Sequence, residues 1–113
     1  MRHTVWLLAA LAVGTAACQQ VPDRNPERGL AFAQAACGGC HAVERYGALP
    51  NPDSPPFAAV VNQPGLTRET LGSWLRAAHN YPEEMEFSLE DAEVDSLVDY
   101  MLTLTDPNYR PAL

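Results

Sequence analysis

The chain has 113 residues, room for a single domain, and carries 7 Arg and no Lys against 14 Asp plus Glu, for a net charge of −7. That balance excludes partners held by basic side chains, namely nucleic acid and anionic membrane surfaces, and points any charge-steered partner towards a basic face. A domain this small buries limited apolar surface, so a bulky apolar cofactor is well placed to make up part of its core.

Met1, Arg2 and His3 give a short positive start, residues 4–13 are almost wholly apolar, and Gly14-Thr15-Ala16-Ala17 are small. The apolar run is far short of the roughly 20 residues a membrane span needs. Residues 1–17 therefore predict a secretory signal peptide rather than a membrane helix. Thr15-Ala16-Ala17-Cys18 resembles the lipobox of bacterial lipoproteins, with Thr15 where Leu is usual. The resemblance implies lipidation of Cys18 as the first mature residue; plain cleavage near Ala17 is the alternative. Cutting there leaves 113 − 17 = 96 residues and removes Arg2, so 6 Arg stand against 14 acidic groups, a net −8. Residues 18–25 are polar and predict a flexible tether.

Pro26 suits the first turn of a helix, and residues 26–36 are rich in Ala, Leu and Gln. The segment runs straight into Cys37-Gly38-Gly39-Cys40-His41. Residues 47–56 hold Pro50, Pro52, Pro55 and Pro56 and predict a loop, followed by a short helix over 57–61 closed by Asn62-Gln63-Pro64-Gly65. Thr67 is the expected N-cap of a helix over 68–78, with Leu71, Trp74, Leu75 and Ala78 on one face. A loop over 79–87 contains Pro82 and Met85. Ser88 is the expected N-cap of a last helix over 89–105, with Asp91 in the capping-box position and Val94, Leu97, Val98, Met101 and Leu104 on one face. No segment alternates with period two. The fold class expected is all-α: three main helices, one short helix and long loops.

The chemistry is concentrated in Cys37 to His41. Two thiols and a neighbouring imidazole within five residues are what covalent haem attachment needs: two thioethers to the vinyl groups and one nitrogen on the iron. Gly38 and Gly39 take little room where backbone must wrap the porphyrin edge. A thioredoxin-like dithiol belongs at a strand-to-helix junction, which this pattern lacks. A zinc site would have His79 as its fourth ligand, and a plain disulfide is the remaining alternative. For the second axial position of a haem iron, Met85, Met101, His79 or no ligand are open. Met101 falls on the apolar stripe of the last helix and His79 at a helix end, whereas Met85 sits in a loop where a thioether can turn towards the iron.

Over residues 26–105 the chain resembles class I cytochrome c. Gly29 and Phe32 look like the family's Gly-x-x-aromatic on the first helix, and Leu97 with Tyr100 like the pattern of the last helix that crosses it. Pro55-Pro56-Phe57 resembles the family's Pro-x-Leu, Leu71-Gly72-Ser73-Trp74-Leu75 its L-x-x-aromatic-L, and Met85 its axial Met. The resemblance implies a cytochrome c domain over 26–106 with a C-terminal tail over 107–113, wrapped around one covalently bound haem c. It implies cofactor-binding roles for Cys37, Cys40, His41, Pro55, Trp74, Met85 and Leu97, with His41 and Met85 on the metal and the Pro55 carbonyl accepting from His41 Nδ1. Pro56 is an alternative acceptor, and Arg45 and Arg76 are candidates for the haem propionates. Two features depart from the family. Glu86 stands where Pro usually follows the axial Met, and Glu83, Glu84 and Glu86 flank Met85 where familiar carriers present Lys.

The expected function is a one-electron carrier, not an enzyme, exported to the periplasm and tethered to a membrane only through Cys18. Its expected partners are redox proteins with a basic docking face, met as a monomer or within a complex. A haem subunit of a dehydrogenase or oxidase, and a haem sensor in which Met85 leaves the iron open, are the alternatives.

Overall fold

The computed structural model describes residues 24–77 and 83–111. The expected signal peptide, Cys18, nearly all of the tether, Ala78, His79 and Pro82 lie outside them.

Helix α1 spans Pro26–Ala36, as expected. Asn25 caps it, its Oδ1 accepting from the backbone N–H groups of Glu27 and Arg28 at 3.0 and 3.2 Å, and Pro26 occupies a position where no N–H is needed. Helix α2 spans Phe57–Val61 behind Pro56. Helix α3 spans Arg68–Ala77. Thr67 caps it as expected: its Oγ1 accepts from Thr70 N–H at 3.2 Å, and the Thr67 N–H donates back to Thr70 Oγ1 at 2.9 Å. Glu83–Met85 form one 3₁₀ turn, and α4 spans Asp91–Leu102. Among the described residues there is no strand.

Helix α4 begins later and ends earlier than expected. The N-cap is Glu90, not Ser88, because the carboxylate of Glu93 reaches back to accept from the Glu90 N–H at 2.8 Å. That is the reciprocal half of a capping box, set two residues further along than the Ser88–Asp91 pairing. At the other end the N–H groups of Thr103, Leu104 and Thr105 donate to the carbonyls of Tyr100, Met101 and Leu102. These three-residue closures tighten the chain out of the α-helix while Leu104 still points into the core at 5% exposure. The apolar pattern therefore outlasts the helix.

Helix α4 is the centre of the packing. Val94, Leu97, Val98, Tyr100 and Met101 are all buried and meet Ala33 of α1, Phe57 and Val61 of α2, and Leu71 and Leu75 of α3 in one core. α1 crosses α4 with backbone nearly touching: a Cβ on Gly29 would collide with the Ser96 carbonyl and lie 2.7 Å from Tyr100 Cβ. α3 lies antiparallel to α4, since Arg68 at its start pairs with Asp99 late in α4 and Arg76 near its end pairs with Asp91 and Asp95. Each of α1, α2 and α3 approaches α4, yet among the described residues none of these three comes within 8 Å (Cα to Cα) of another.

Candidate haem site

The last turn of α1 delivers the thiols. The N–H groups of Cys37 and Gly38 both donate to Ala33 O at 2.9 Å, and those of Cys40 and His41 donate to Cys37 O at 3.1 and 2.9 Å, so residues 37–41 curl into one tight turn. Gly38 is required by its own helix: a Cβ there would lie 2.7 Å from Gln34 O. At Gly39 a Cβ would meet nothing of the chain. Both thiols are unpaired, Cys37 half-buried and Cys40 exposed. Burial pushes the Cys37 thiol up to about 11. Its place at a helix C-terminus adds the unfavourable end of the helix dipole. A redox dithiol needs the opposite, a thiolate favoured at a helix N-terminus, so the geometry argues against that reading.

His41 is held from behind. Its Nδ1 lies 2.7 Å from the Pro55 carbonyl oxygen. A carbonyl only accepts, so Nδ1 carries the proton and the lone pair of Nε2 is left for a metal. The Phe57 ring, 5.6 Å away centroid to centroid and tilted by 49°, fixes the imidazole plane from the side. Between His41 and Pro55 the loop is tied back by Asn51 N–H to Cys40 O at 3.2 Å and by Phe57 N–H to Ala42 O at 2.9 Å. The acceptor is Pro55 rather than Pro56, which sits at the N-cap of α2.

One supporting contact was not foreseen. The Tyr100 hydroxyl, buried under α1, donates to Val43 O at 2.8 Å and so ties α4 to the chain just after His41. Sequence reasoning placed the ring of Tyr100 at the helix crossing but had no signal for where its hydroxyl goes.

The other expected residues divide. Cys37, Cys40, His41 and Pro55 form one unit. Trp74, on α3, is 43% exposed. Met85 ends the 3₁₀ turn and is half-buried. These two are carried by α3 and by the segment leading into α4. Leu97 is 1% exposed and lies in the core shared by the four helices. Met101 is core at 2% exposure. Arg45 donates to Asp106 at 3.4 Å and Thr103 O at 3.2 Å, and Arg76 donates to Asp91 and Asp95 at 2.7 Å each, which engages both guanidinium groups within the protein.

This arrangement suits a haem. Two unpaired thiols and an imidazole with a fixed tautomer share one turn. Trp74 and Phe87, at 43% and 40% exposure, are large apolar groups that a flat macrocycle could cover.

A family model described as Cytochrome c matches residues 26–105. The chain belongs to the cytochrome c family. No curated protein and no solved structure matches it. As a cytochrome c it carries haem c bound covalently through Cys37 and Cys40 and serves electron transfer. Among the described residues of this cytochrome c, no helix is long and apolar enough to cross a membrane.

Proposed function

We propose that this cytochrome c is an exported one-electron carrier whose iron is held between His41 and Met85. The observation that carries the reading is the 2.7 Å contact from His41 Nδ1 to the Pro55 carbonyl. It sets the tautomer, aims Nε2 away from Pro55 and increases the basicity of the ring, as ligand histidines require. The bound haem supplies the one-electron couple of its iron and a conjugated edge for electron exchange. Met85 brings a soft thioether on a short turn, a donor that favours the reduced iron over a second imidazole and raises the potential. Two protein ligands leave no position for a substrate, which suits a carrier. Glu83 and Glu86, exposed beside Met85, add negative charge that opposes reduction modestly, since solvent screens it.

The Met85 assignment is tested on the purified oxidised protein. Wild type should show the weak thioether-to-iron charge-transfer band at the red end of the visible spectrum, and Met85→Ala should lose it. A band that survives Met85→Ala disproves the ligand.

Export and anchoring rest on residues 1–18, and the expected docking partner is a redox protein with a basic face. Cys18→Ser should move the mature protein from the membrane fraction to the soluble periplasmic fraction. Equal distribution of the two proteins would remove the lipid anchor. A second reading, a haem subunit fixed in a dehydrogenase or oxidase complex, is favoured by Tyr46, which is 95% exposed beside Leu49 at 41%. Co-migration of the tagged mature chain with a stoichiometric partner through gel filtration separates that reading from a free carrier.

A further inference from the structure

Met85 has no rigid element of its own: it sits in a single 3₁₀ turn and reaches α4 through residues 86–90, which are irregular. Among the described residues, its placement depends on what fixes the start of α4 against α3. One side chain does this. Arg76, next to the last residue of α3, donates from Nε to Asp91 Oδ1 and from its terminal nitrogen to Asp95 Oδ1, each at 2.7 Å. Asp91 is the first residue of α4 and Asp95 lies one turn on. The fork therefore fixes the start of α4 against the end of α3, and with it the point to which residues 86–90 tether the Met85 turn.

The fork has a further requirement. A Cβ on Gly72 would lie 2.9 Å from a terminal nitrogen of Arg76, so the side chain turns back over its own helix and an alanine there would push the guanidinium aside. Gly72 is buried in the interior of α3, where glycine weakens a helix relative to alanine. The missing side chain leaves open the path by which the guanidinium crosses to α4.

We propose that Arg76 is a positioning residue for Met85, its guanidinium crossing Gly72 to fork onto Asp91 and Asp95 and so hold the base from which the ligand turn is hung. This rests on the reading of Met85 as the axial ligand. The Arg68–Asp99 pair provides the internal control. Asp99 is only 11% exposed against 86% and 30% for Asp91 and Asp95, so this pair is the more buried of the two, but it lies at the opposite end of α3. An effect that follows helix-pair stability is greatest at Arg68; an effect that follows the Met85 segment is greatest at Arg76.

The experiment uses the haem-loaded protein and free imidazole, which displaces a weak sixth ligand and binds more tightly as the fraction of protein with its own ligand off the iron rises. Arg76→Gln and Gly72→Ala should each bind imidazole more tightly by about fivefold, the factor that corresponds to about 1 kcal/mol for an exposed ion pair. Arg68→Gln should leave imidazole affinity unchanged. Saturating imidazole removes the native ligand from every variant, and under that condition Gly72→Ala should melt no lower than wild type, because alanine favours the helix. Looser ligation in a helix at least as stable is a result that a merely structural role does not produce. Unchanged imidazole affinity in Arg76→Gln and Gly72→Ala, or an equal gain in Arg68→Gln, overturns the proposal. Wild-type imidazole affinity in Met85→Ala removes the ligand reading beneath it, and the proposal with it, whatever Arg76 does.

Discussion

Tyr100 links two processes through one hydroxyl. It is buried, it donates to Val43 O, and it holds its proton to higher pH than an ordinary phenol, first because burial disfavours the phenolate and then because Glu44 adds negative charge. The folded protein thus keeps a proton that the unfolded chain gives up near the usual value of about 10. The stability contributed is complete below that value and is lost as pH rises through the folded-state pKa. Tyr100→Phe should lose about 1–2 kcal/mol at neutral pH, through the hydrogen bond and the carbonyl left without its donor. It should also lose less further stability than wild type in the alkaline range, and urea titrations at neutral and alkaline pH measure both. Identical alkaline losses would show that the phenol is not buried in solution. Cys37 and Cys40 differ in the same sense. Alkylation proceeds through the thiolate, so in the haem-free chain the exposed Cys40 should react well before Cys37, whose thiol burial pushes up to about 11. Mass spectrometry of a timed alkylation reads the order, and urea should abolish it. These residues were legible because their chemistry is local: five consecutive positions announce haem attachment. The destination of the Tyr100 hydroxyl was not legible, because a family pattern marks a position and only packing tells what its side chain meets.

The α1–α4 crossing is set by what Gly29 lacks. The Ser96 carbonyl occupies the space a Cβ would need, and backbone cannot swing aside as a side chain can. Gly29→Ala should therefore cost at least about 1–3 kcal/mol, the usual range for overpacking, and chemical denaturation of the haem-loaded protein measures it. A loss below that range would mean that the helices are free to part. At the start of the same helix Asn25→Ala removes a cap with two acceptor contacts and should cost about 1 kcal/mol by the same assay. The bounds of α1 and α2 could be read directly, because Pro26 and Pro56 mark their starts with backbone chemistry. The start of α4 could not. Ser88 and Glu90 are both credible caps, and the choice falls to Glu93, whose longer side chain reaches back to the Glu90 N–H. The end of α4 was overrun for a different reason, since periodicity does not distinguish an α-turn from the tighter turns that keep Leu104 inside.

The whole molecule is strongly acidic at −7, with no lysine to interrupt it. Small redox reagents of matched potential should feel this: a cationic oxidant should react with the reduced protein at least about tenfold faster than an anionic one at low salt. The two rates should converge as ionic strength shortens the screening length, and stopped-flow mixing across a salt series measures the convergence. Equal rates at low salt would mean that the haem edge lies outside the acidic field. The sign of this field was plain from composition, and so was the all-α class from the absence of alternation. The arrangement of α1, α2 and α3 around α4 was not, because an apolar face tells that a helix is buried but not against what.

The pairing of α1 with α4 joins the beginning of the domain to its end, and this has a consequence in time. A polypeptide grows from its N-terminus at about 5–20 residues per second, so several seconds separate the completion of α1 from that of α4. For all of that interval α1 has no partner for its apolar face, and Cys37 to His41 ride on a segment whose tertiary support does not yet exist. Pro55 arrives before α4, but the Tyr100 hydroxyl that steadies Val43 comes near the last. The chain is therefore built so that Cys37 is most accessible while it is unfinished, and the closing of its last helix is the event that leaves it half-buried, whereas Cys40 stays exposed.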